Sequence, residues 1–132
     1  MLKDTFLLRL GVAVVMAMHS VPSIVSGDII SFGNEYLAKN GFGFMGLPLA
    51  FMVKGIHLFS VFSLLFNKFI KPIAILNSII LILGIVMIHA SEGWYVVGGG
   101  RNGVEFNFIL ITIFLSFLLP DGMFKKSNES AL

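Results

Sequence analysis

Apolar positions along this chain gather into four long runs, at about residues 5–25, 44–66, 70–90 and 104–119, with short polar stretches between them. The first three hold roughly 20 residues each, the length that carries an α-helix across a hydrocarbon layer ~30 Å thick at ~1.5 Å per residue. The fourth is the shortest and stops at Pro120-Asp121-Gly122. Pro72 falls in the first turn of the third run, where its missing N–H costs little. Residues 68–71 form a short turn, which predicts that runs two and three pack antiparallel. The first run has a second reading as a signal peptide, because Lys3 and an apolar stretch precede a small-residue site ending in Val25-Ser26-Gly27. A retained span is the expectation.

The two long connections differ in kind. Residues 26–43 carry Asp28, Glu35 and Lys39, with Gly41 and Gly43 leading into the second run. Within them, Asp28-Ile-Ile-Ser-Phe and Tyr36-Leu-Ala predict a short amphipathic piece lying at the membrane interface. Residues 91–103 hold Trp94, Tyr95 and the run Gly98-Gly99-Gly100. The glycine run resembles a phosphate loop only superficially, since it lacks the preceding strand and the Lys-Ser/Thr that such a loop needs. A tight re-entry turn at the surface, with Arg101 reaching lipid headgroups or a partner, is the better reading.

Composition fits this pattern. The 132 residues are 57% apolar and 12% charged, against roughly 25% charged in soluble domains. One all-α domain, residues 1–132, is expected, an integral membrane four-helix bundle with no room for a soluble catalytic domain and no internal repeat. The absence of cysteine excludes disulfides, thiolate metal sites and thiol redox chemistry by the chain itself. Lys3, Arg9, Lys68, Lys71, Lys125 and Lys126 all fall on one side of the four runs. Asp28, Glu35, Lys39, Glu92 and Arg101 fall on the other, with Glu105 at a span edge. The positive-inside rule then places both termini in the cytoplasm, and Trp94 and Tyr95 suit the outer interfacial belt. The net charge of +2 therefore reports topology and gives no reason to expect nucleic acid as a partner.

An ionisable group inside hydrocarbon costs a few kcal/mol and needs a partner or an escape to the interface. Lys54 lies about 15 Å below the outer end of the second run by helical rise. It either snorkels and bonds a neighbouring serine or carbonyl, or serves as a buried cation for an anionic ligand or an acidic group on a partner subunit. His57, on the same run, is about 20 Å down and joins it as a candidate partner-binding residue. His19 and His89 look level near the outer ends of runs one and three. They are either polar residues bonding across helices or ligands, able to hydrogen-bond a quinone carbonyl or, as second choice, to hold a b-type haem iron. Glu105 heads the fourth run, where it either orients an imidazole or favours the helix N-terminus with its charge. With Arg101, these three define a candidate outer-side cofactor pocket, and no metal site is expected.

Leu7-Leu8-Arg9-Leu10-Gly11 followed by His19, then His89, Gly93-Trp94, the glycine run and Gly103-Val104-Glu105-Phe106-Asn107, resemble in order and spacing the DoxX family of small four-span bacterial membrane proteins. The resemblance covers residues 7–122. In span two the family often has a Glu followed by paired glycines, whereas here the stretch reads Lys54-Gly55-Ile56-His57-Leu58-Phe59-Ser60, and the Gly that usually follows the first His is Ser20. The resemblance implies a multi-pass protein of a bacterial cytoplasmic membrane associated with redox systems, since DoxX-like proteins include subunits of thiosulfate:quinone oxidoreductase and components of oxidative-stress membrane complexes. The expectation is an accessory subunit of a quinone-linked complex with no activity assigned to it alone. The alternative is a structural subunit that meets other membrane subunits or a second copy of itself.

Overall fold

A computed structural model describes residues 5–119 of the chain, and every regular element in that stretch is helical. Lys3, the Pro120-Asp121-Gly122 stop, and Lys125 and Lys126 lie outside the described residues. Helix α1 spans Phe6–Ser26, ending where Gly27 takes a left-handed φ of 84°. A short helix α2, Asp28–Ser31, winds on into a wider, π-type helix over Phe32–Phe42. The polar connection is thus longer and more ordered than the short interfacial piece expected there. It breaks at Asn40 and Gly41, the latter at φ 105°. Helix α3 spans Gly46–Phe66, and after a turn at Asn67 and Phe69, both with positive φ, α4 spans Ile70–Gly84. That helix continues through a π turn, Ile85–His89, and a 3-10 turn, Ala90–Glu92. Helix α5 spans Glu105–Ser116.

Three stretches are long and apolar enough to cross a membrane, Phe6–Ser26, Asp28–Phe66 and Ile70–Glu92. The 12 residues of α5 reach only about 18 Å at the helical rise. The fourth run is therefore a shorter helix than residues 104–119 predict.

Burial is inverted relative to a soluble bundle. Phe44, Leu7, Val86 and Phe62 point outward and are largely exposed, whereas Arg9, Ser20, His57, Ser60, Ser63, Asn77, Ser78 and Asn107 are buried. In water such a surface would drive aggregation; in hydrocarbon it is the favoured one, and small or polar residues inside let helices approach and bond across. Asn77 does this between α4 and α3, donating to Ser60 Oγ at 2.7 Å and to the Ile73 carbonyl at 2.8 Å. The apolar core of Met16, Leu64, Ile73, Leu81, Leu110 and Phe114 fills the rest.

The main helix pairings run in sequence, α1 on α3, α3 on α4 and α4 on α5. Antiparallel register between α1 and α3 is fixed at two levels. Arg9 Nη1 donates to the Leu64 carbonyl at 2.6 Å, and Lys54 Nζ donates to the His19 carbonyl at 2.5 Å, so the two contacts lie ten residues apart on both helices. Arg9 thus meets the carbonyl-rich end of α3, where a cation is favoured. Between α1 and α5 the bundle stays open along an apolar groove of about 610 Å³. The π-type helix folds back on α3, where Gly33 lies so close to Leu47 that a Cβ would come within 2.6 Å of its Cα.

Candidate functional site

The polar centre of the bundle forms where α1 and α3 cross at the level of His19. The His19 carbonyl accepts from Lys54 Nζ, and Ser20 Oγ donates to the Lys54 carbonyl at 3.4 Å. Lys54 Nζ also lies 5.9 Å from the centroid of the Phe32 ring, a cation–π contact. The lysine is thus held from both sides by its own chain, within reach of α1 and of the re-entrant π-type helix.

His57 stands one turn along α3, with its ring edge-on to that of His19 at a centroid distance of 6.3 Å. It is only 5% exposed, and neither Nδ1 nor Nε2 has a hydrogen-bond partner. A neutral imidazole carries one donor and one acceptor, so this ring offers both to whatever reaches it. The His19 Nδ1 lies 2.9 Å from the Val15 carbonyl, which can only accept, so Nδ1 carries a hydrogen. The other face of His19 stacks on Phe106 of α5, at 6.0 Å and 11°.

His19 and His57 meet although the depth count set them at different levels, and helix geometry explains the difference. His19 is seven residues, roughly 10 Å, inside the end of α1 at Ser26. Helix α3 begins at Gly46 and not at residue 44, which raises His57 by about 3 Å. Side chains also lean toward the N-terminus of their own helix, so on antiparallel helices these two lean toward each other. The same register brings Lys54 in.

His89, Glu105 and Arg101 occupy the adjoining loop. His89 Nδ1 donates to the Asn102 carbonyl at 2.5 Å, and Glu105 Oε1 accepts from the Val96 amide at 2.9 Å. Gly103, Val104 and Glu105 donate their amides to the carbonyls of Tyr95, Gly93 and Trp94, each at 3.0 Å. Gly103 has no room for a Cβ beside the Trp94 carbonyl, which accounts for the glycine there. Glu105 and His89 therefore clasp the loop of residues 93–104, and Arg101 is exposed on it. Phe106, next to Glu105, is the link between this loop and the His19 ring.

Two contributors have no individual role in the sequence reading, where they enter only as part of the pattern over residues 103–107. Phe106 stacks on His19. Asn107 is buried and donates to the Leu81 carbonyl at 3.4 Å, tying α5 to α4 beside Gly84. Pairing α1 and α3 antiparallel from Arg9 onward is the signal that brings Lys54 and His57 to His19. Among the described residues no group of three or more His, Cys, Asp or Glu is placed to hold a metal ion. Of the expected His19 and His89 pair, His89 is tied through Nδ1 to the Asn102 carbonyl, while His19 packs between Phe106 and His57. The unpartnered His57 imidazole has an N–H that suits a carbonyl acceptor.

Among the described residues the architecture is all-helical, with three stretches long and apolar enough to cross a membrane and a polar centre between α1 and α3. No protein-family model, no curated protein and no solved structure matches the chain. The resemblance to the DoxX family rests on the residue pattern alone.

Proposed function

We propose that the chain is a four-span protein of a bacterial cytoplasmic membrane, with both termini cytoplasmic, that holds a quinone headgroup as an accessory subunit of a membrane redox complex. The observation that carries this reading is His57, a buried imidazole whose two nitrogens have no partner, beside a lysine ammonium and a second imidazole. Leaving such a group unsatisfied costs about 1–3 kcal/mol, and hydrocarbon offers no water to relieve it. A quinone carbonyl supplies the missing acceptor. When bound, the quinone provides the electron-carrying chemistry; the protein's own share is to hold and orient it and to keep water out.

The placement of basic residues supports this topology. Arg9, Lys68 and Lys71, the described members of the basic set, all sit at the end of the bundle where α1 begins and α3 ends. The residue pattern resembling DoxX proteins supports the redox setting. Against the structural alternative, Lys54 needs no acidic group from another subunit, because the His19 carbonyl already accepts from it.

The test is purification of the tagged chain from its native membrane in mild detergent, followed by identification of co-purifying chains and extracted lipids. Redox-enzyme subunits and quinone with the wild-type chain, and quinone lost on His57→Leu with the same partners retained, are expected. Partners without quinone would favour the structural alternative.

A further inference from the structure

The headgroup reading leaves without a role a broad apolar groove, the open seam between α1 and α5. Its volume is about 610 Å³, and Leu8, Gly11 and Val15 of α1 face Ile109 and Ile113 of α5 across it. One end of the seam abuts the His19 ring, which in turn meets His57. Val15, which lines it, gives its carbonyl to His19 Nδ1, and Phe106, which also lines it, stacks on the His19 ring. From Val15 to Leu7 it extends about 12 Å along α1, toward the end of the bundle that carries Arg9. It is open at mid-length, where a Cβ on Gly11 would meet nothing within 4 Å.

We propose that this seam is the lateral entrance and berth for the polyisoprenoid tail of the ligand whose headgroup sits at His57, an inference that rests on the quinone reading above. Direction argues for that occupant. An ordinary phospholipid keeps its headgroup at the water interface, so an acyl chain in the seam would press its terminal methyl against the imidazoles. The occupant that satisfies both ends has its polar group deep in the bilayer and a hydrocarbon tail running from there toward the surface. Prenylated quinones have that arrangement. Branched aliphatic side chains on both walls match a methyl-branched tail, and the part of the tail beyond the seam passes into the bilayer.

The experiment compares a polyisoprenyl quinone with the same headgroup lacking its tail, binding to the full chain in lipid nanodiscs. Gly11→Leu and Ile109→Phe fill the seam from either wall, and Leu83→Phe, on the separate cavity between the π-type helix and α4, is the control. Seam variants are expected to weaken the tailed quinone by about tenfold, equivalent to 1.4 kcal/mol, and to leave the tail-free headgroup unchanged. The control should leave both unchanged. Unchanged affinity for the tailed quinone in both seam variants overturns the berth, as does full competition by phosphatidylglycerol alone. If neither quinone binds the wild-type chain, the headgroup reading fails first and takes the berth with it.

Discussion

His57 and Lys54 share one helix and differ in how the fold treats them. Lys54 is met on one side by the His19 carbonyl and on the other by the Phe32 ring, so its charge is accommodated. His57 is enclosed without a partner. Replacing it by leucine should remove an unsatisfied group at similar volume, raising stability of the ligand-free protein by about 1–3 kcal/mol while abolishing quinone binding. Unfolding in mixed micelles and a binding titration read the two effects, and a loss of both would assign His57 to packing. Asn77 is buried and half satisfied: its Nδ2 donates to both Ser60 and Ile73, while its Oδ1 has no partner. Asn77→Ala should cost about 1–2 kcal/mol in the same unfolding assay. Sequence alone marks Lys54 and His57 as costly in hydrocarbon, but it does not say which is satisfied, because their neighbours come from residues 34 and more positions away on α1 or from the helix over residues 32–42.

At the scale of elements, three runs were legible to within two or three residues because long apolar stretches tolerate no other regular structure in a membrane. The stretch between α1 and α3 was not. Its helix is polar on one side and held by contact, Gly33 against Leu47 and Gly46 against Ala38, which local pattern cannot encode. A Cβ on Gly46 would fall 2.6 Å from the Ala38 amide nitrogen, whereas one on Gly55 meets nothing within 4 Å. Gly46→Ala should therefore destabilise by about 1–3 kcal/mol, and Gly55→Ala should stabilise by roughly 0.5–1 kcal/mol through helix propensity. Thermal unfolding distinguishes them, and equal effects would contradict the close packing. The loop of residues 93–104 depends on Glu105 in the same way. Glu105→Ala should speed hydrogen exchange at Val96 and its neighbours, while unchanged exchange would show that the paired backbone amides alone hold the loop.

Across the whole molecule, an apolar exterior over a core that mixes apolar and polar side chains suits a bilayer as solvent. The sequence showed that in composition and in the one-sided placement of basic residues; the level at which the polar residues meet emerged only with helix register. Lack of cysteine makes the topology directly testable, since single cysteines introduced at Gly99 and at Lys68 have no background. A membrane-impermeant thiol reagent applied to spheroplasts should label the first and not the second, and the reverse pattern would invert the orientation. The central claim is that His57 hydrogen-bonds a quinone carbonyl. Infrared difference spectroscopy on the protein with carbonyl-labelled quinone measures that bond directly. A carbonyl band shifted to lower frequency in the wild-type chain and returned to the free position in His57→Leu is predicted; a band at the free position in both would contradict it.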